Sequence, residues 1–117
     1  IHADLVRENI LVDGGTVQLI DFDDSGFGFR LFDIATTLLR NRTEPDFDTL
    51  KAALLDGYLS IRELDLSALD LFIVLRAATY VGWIISRMAE EGSASRNARF
   101  VETARALIET YLAKVDT

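Results

Sequence analysis

His2-Ala3-Asp4-Leu5-Val6-Arg7-Glu8-Asn9-Ile10-Leu11-Val12-Asp13-Gly14-Gly15-Thr16-Val17-Gln18-Leu19-Ile20-Asp21-Phe22 is the stretch on which the fold of this chain turns. Ile10-Leu11-Val12 is apolar and rich in β-branched residues, and predicts a short strand. Asp13-Gly14-Gly15 is a tight-turn signal, because glycine tolerates positive φ. Thr16–Phe22 predicts the returning strand, so residues 8–22 are expected to form an antiparallel hairpin. Residues 1–9 read as a loop or short turn leading into it. Such a hairpin brings Asn9, ahead of the first strand, beside Asp21, at the end of the second. Asp4, on the loop leading in, lies within reach of both. A lone hairpin is marginal in water, so this one must pack on something.

Beyond the hairpin, residues 23–30 (DDSGFGFR) read as loop, and then the period becomes helical. Phe32, Ala35, Leu38 and Leu39 share one face of a helix from Leu31 to near Arg42. A second helix is expected from Asp46 to about Ser60, with Phe47, Leu50, Leu54 and Tyr58 in register. Ser67-x-x-Asp70 has the form of a capping box before a long helix running to about Glu91. Ser95 is the expected cap of a last helix through Val115, with Phe100, Ala104, Leu107 and Tyr111 on one face. The fold class is therefore α+β, mostly α: a short hairpin followed by about four helices. No internal repeat or linker interrupts the 117 residues, which read as a single domain.

Composition removes several chemistries. The chain has no Cys and one His, so disulfides, thiolate zinc sites, iron–sulfur clusters, a Cys nucleophile and multi-His metal sites are excluded. With 12 basic and 19 acidic residues the net charge is −7, which argues against nucleic acid or anionic lipid as a partner. The most apolar run, Leu71–Ile85, is too short to span a bilayer and contains Arg76. A cytoplasmic protein is the expectation.

Two carboxylates and a carboxamide at one edge of a hairpin suit Mg²⁺. It takes oxygen ligands and is usually held by one or two carboxylates plus substrate phosphates. A carboxylate not used for the metal can accept a proton from an attacking hydroxyl. That is the division of labour in phosphoryl transfer. Asp21, Asp23 and Asp24 crowd three like charges together and favour a cation. A calcium loop is the rival reading, since Asp21-x-Asp23-x-Ser25-Gly26 matches its first half. The twelfth position, however, is Phe32 in place of a bidentate Glu, and a strand precedes it where a helix is required. Gly26-x-Gly28 reads as two loop glycines, because a dinucleotide fingerprint needs a third.

His2-x-Asp4-x4-Asn9, the hairpin, then Leu19-Ile20-Asp21-Phe22-Asp23-Asp24, then Phe32-Asp33-Ile34-Ala35 resembles the aminoglycoside phosphotransferase/choline kinase superfamily. These are small-molecule kinases with a protein-kinase-like fold, and the order of motifs is similar to the protein-kinase catalytic loop and magnesium motif. The resemblance implies that Asp4 is the catalytic base and that Asn9 and Asp21 are magnesium ligands, with Asp23 assisting. It implies that His2 braces the loop and Asp33 is structural at the start of the next helix. It implies ATP as phosphoryl donor and a small-molecule hydroxyl as acceptor: an aminoglycoside, choline or ethanolamine, homoserine, a sugar or a protein Ser/Thr. The sequence departs from the family pattern at Ala3, where the family commonly has Gly.

No glycine-rich loop, phosphate-binding lysine or hinge stands in these residues, and the chain starts at Ile1 within two residues of the motif. The expectation is the C-terminal lobe of such a kinase, without the nucleotide-binding lobe and inactive alone. Apolar surface left open around the hairpin then favours self-association. Arg76, Tyr80, Trp83 and Arg87 recur on one helix face. They read either as a substrate-facing surface or as an amphipathic boundary whose stems and rings pack. The alternative function is a non-catalytic helical interaction module carrying a degenerate kinase motif.

Overall fold

The computed structural model describes residues 1–116. A 3₁₀ turn over Arg7–Asn9 leads into strand β1 (Ile10–Asp13), which pairs antiparallel with β2 (Thr16–Leu19). Helices α1 (Arg30–Asn41), α2 (Phe47–Leu59), α3 (Leu69–Ile85) and α4 (Ser93–Val115) follow. The chain is mostly helical with one small sheet, as the periodicities predict. It forms two compact units, Ile1–Leu69 and a second beginning at Asp70.

In the first unit the hairpin register runs from Ile10 opposite Leu19 to Asp13 opposite Thr16. Gly14, at φ 59°, supplies the positive φ that a two-residue hairpin loop needs at its first central position. The strands are short. The returning strand ends at Leu19 and not at Phe22, because Asp21 takes φ 61° and leaves the strand direction. α1 is the core of this unit. Leu31, Ile34, Ala35, Leu38 and Leu39 are buried, with Val6 from the loop and Leu69. α2 buries no residue fully. A cavity of about 300 Å³ lies between it and its neighbours, lined by Ile10, Val12, Leu38, Phe47, Leu50 and Leu54.

In the second unit α3 and α4 run antiparallel. Asp70 in the first turn of α3 meets Lys114 in the last turn of α4, with Nζ to Oδ2 2.6 Å. Midway, the Tyr80 and Phe100 rings stack at 5.5 Å, and Ala77, Ile84 and Ala104 are buried. The expected extension of α3 to about Glu91 does not occur. After Ile85 the backbone bonds shorten to the i→i−3 pattern, Arg87 N–H to the Ile84 carbonyl and Glu90 N–H to that of Arg87. The buried Ser93 hydroxyl donates to the Arg87 carbonyl, which a continuing helix would have used for its own ladder. α4 accordingly starts at Ser93, ahead of the expected Ser95 cap, with Gly92 in its left-handed conformation (φ 78°) as the N-cap. In front of α3, Asp65 accepts the Ser67 N–H at 2.9 Å. Among the described residues no helix is long and apolar enough to cross a membrane.

Candidate active site

The residues singled out in the first unit lie on a loop, a 3₁₀ turn and the end of a hairpin; α1 fastens the loop and the turn, and these in turn hold the hairpin end. His2 is buried. Its Nδ1 accepts the Asp4 N–H at 3.1 Å, so Nε2 carries the proton and donates to the Ile20 carbonyl at 2.8 Å. One ring therefore ties the residue before Asp21 to the backbone of Asp4. The Phe22 ring lies against it, centroids 4.7 Å apart. Asp33, in the first turn of α1, accepts the His2 N–H on Oδ2 and the Ala3 N–H on Oδ1, both at 2.8 Å. A carboxylate at that place is also favoured by the helix dipole.

Asn9 is buried, and its Nδ2 donates to the Asp4 carbonyl at 2.9 Å and to the Asp4 carboxylate at 3.2 Å. The 3₁₀ turn brings these two side chains together across five positions. Ile20 N–H donates to the Asn9 carbonyl at 3.0 Å, extending the hairpin by one bond. Ile20 is thus gripped by Asn9 on one side and His2 on the other, and Asp21 follows it directly. Asp21, Asp23 and Asp24 are exposed. The loop then returns, and Gly26 N–H meets the Ile1 carbonyl at 3.1 Å.

These donors fit a hard cation. Asn9 commits Nδ2 to Asp4, which leaves its Oδ1 for a metal, and Asp21, exposed and one residue beyond the pinned Ile20, is the nearest carboxylate along the second strand's exit. Among the described residues no three His, Asp or Glu side chains gather to cage a metal.

The sequence profile of the phosphotransferase enzyme family matches residues 1–72. This chain belongs to that family. The matched span holds every residue of the loop, the hairpin and α1 described above. Among curated proteins, an uncharacterized protein of Deinococcus radiodurans is 33% identical over 86% of this chain and 32% of its own length. A homoserine kinase of Pseudomonas aeruginosa is 35% identical over 83% of the chain and 32% of its own. A homoserine kinase of Neisseria meningitidis is 31% identical over 77% and 31%. The chain thus spans about a third of the length of these relatives. No solved structure matches it.

Two contacts here were outside the sequence reading. The Thr37 hydroxyl donates to the Leu5 carbonyl at 2.7 Å, and Arg7 Nη2 donates to Asn41 Oδ1 at 2.8 Å. Their signal was the polar spacing Asp33-x3-Thr37-x3-Asn41 within a helix read only for its apolar face. In the second unit, the guanidinium of Arg76 on α3 lies over the Tyr80 ring at 4.4 Å, and that of Arg87, in the turn after α3, lies over the Trp83 ring at 4.1 Å. Each cation already sits on a ring four positions away in the chain.

Proposed function

We propose that this chain supplies the catalytic loop and helical part of an ATP- and magnesium-dependent kinase that phosphorylates a hydroxyl of a small molecule. The observation that carries the reading is the Asn9 carboxamide held on the Asp4 carbonyl and carboxylate, beside the pinned Ile20-Asp21 step. In this reading Asp4 orients the acceptor hydroxyl and takes its proton. Asn9 Oδ1 and Asp21 hold Mg²⁺, with Asp23 assisting. The ion, when bound, neutralises charge on the transferring phosphates. His2 and Asp33 keep the loop in register. The cradle for the nucleotide is assigned to a segment outside these residues, because no glycine-rich loop with a phosphate-binding lysine occurs in them. Arg76, Tyr80 and Trp83 of α3, with Arg87 just beyond its end, are assigned to packing. An ATP-dependent enzyme of this kind works in the cytoplasm. Two similar proteins carry the name homoserine kinase, so homoserine is the first acceptor to test, ahead of choline, ethanolamine and aminoglycosides.

The test is phosphoryl transfer from ATP by the full-length protein containing this chain. Asp4→Ala is expected to lower kcat strongly with little change in ATP affinity, since the group acts on the acceptor. Asp21→Ala is expected to weaken Mg·ATP binding as well. Equal loss of nucleotide affinity in both variants counts against the roles given. Failure of the whole protein to bind Mg·ATP points instead to a non-catalytic interaction module.

A further inference from the structure

We propose that α1 is a splint for the loop carrying Asp4, and that Thr37 and Asn41 are positioning residues for that carboxylate. The proposal rests on the kinase reading above and extends it to residues in the middle and end of α1. Three rungs join helix to loop. Asp33 holds the amides of His2 and Ala3, Thr37 holds the carbonyl of Leu5, and Asn41 holds the guanidinium of Arg7. The helix partners are spaced by four residues, so they lie on one face. The loop partners advance by two.

These spacings are commensurate. Four helical residues rise about 6 Å, and two loop residues can span at most about 7 Å. The loop can therefore follow the helix and meet it once per turn, with the long Arg7 side chain making up the last reach. The rungs are also linked. Asn41 Nδ2 donates to the Thr37 carbonyl at 2.8 Å, which turns Oδ1 toward Arg7 and settles the amide orientation. Arg7 opens the 3₁₀ turn that places Asn9 on Asp4. Thr37 grips the residue immediately after Asp4. With Asp33 alone, α1 would hold the loop on the N-terminal side of Asp4 only. The second and third rungs hold the other side. Glu8 to Arg40 at 3.8 Å and Arg7 to Glu44 at 3.6 Å add exposed ion pairs of small effect at the same end.

The test uses the full-length protein and three variants, Thr37→Val, Thr37→Ser and Asn41→Ala. Valine keeps the shape and removes the hydroxyl, and serine restores it. Thr37→Val is expected to lower kcat by about 10- to 100-fold, the scale of a misplacement near 1 Å. The KM for ATP should stay within about twofold, because nucleotide binding does not use this rung. Thr37→Ser should recover most of the loss. Amide hydrogen exchange across residues 2–9 should quicken in Thr37→Val at an unchanged melting temperature. A kcat for Thr37→Val within about twofold of the parent, or a loss shared equally by kcat and the KM for ATP, overturns the splint and leaves the kinase reading standing. Should Thr37→Val not fold, Asn41→Ala, at the half-buried last residue of the helix, is judged by the same two ratios. A parent protein that transfers no phosphate overturns the kinase reading itself, and the splint with it.

Discussion

Ala3 carries φ 74° beside the proposed base, a conformation that costs an L-residue about 1–2 kcal/mol. Its amide is held there by Asp33 Oδ1, so the clamp and the strain belong to one device. The family's common glycine at this position has a plain reason: glycine takes positive φ without a steric penalty. Ala3→Gly is expected to stabilise the chain by about 1 kcal/mol, strain relief exceeding the added freedom of the unfolded state. Urea unfolding checks this, as a rise in midpoint at constant slope. A lower midpoint would mean that the methyl group packs favourably enough to outweigh the strain. Asp21, at φ 61°, is the other non-glycine residue with positive φ among those described. The two lie on the two segments that His2 joins.

At the scale of elements, α3 and α4 form a hairpin closed at its open end by Asp70 and Lys114. The hydrogen bond to Asp70, and then its charge, raise the Lys114 ammonium above its ordinary 10.5. A cation whose pKa is raised on folding contributes stability that is complete below the unfolded value and fades as pH climbs through the folded one. The stability difference between the parent and Lys114→Met should therefore be small and constant up to about pH 10.5, then close as pH rises further. Denaturant midpoints across that range check it. A difference that widens with pH would show that Asp70 does not govern the lysine. The same pair is exposed, so strong salt should shrink the difference at every pH.

For the molecule as a whole, apolar surface remains open around the hairpin and the loop behind it. Val12 is 69% exposed, Val17 63%, Phe22 53%, Phe27 110% and Phe29 74%, all within eighteen residues of one another. The chain alone should self-associate through this surface. Its net charge of −7 opposes association, so added salt should strengthen it by screening. Sedimentation of the 117-residue chain at low and high salt tests this. The Phe27→Ser/Phe29→Ser double variant should shift the distribution toward monomer. A monomer at all concentrations, or association that salt weakens, would show that the apolar surface is not sticky.

The order of elements was legible in the residues, and so was the meeting of Asn9 with Asp4. A strand period, a Gly-Gly turn and helical apolar spacing are local signals, and the functional residues are bound to them by short distances along the chain. Helix ends were less legible: α3 stops at Ile85 because Ser93, eight positions on, takes the Arg87 carbonyl. The meaning of Ala3 was hidden as well, since a letter that departs from a pattern does not reveal the φ it must adopt. Thr37 and Asn41 were out of reach for the same reason. Their partners stand 32 and 34 positions away. Local patterning settles which elements form and which polar groups they carry, but contacts at such separations arise when the loop is laid along α1.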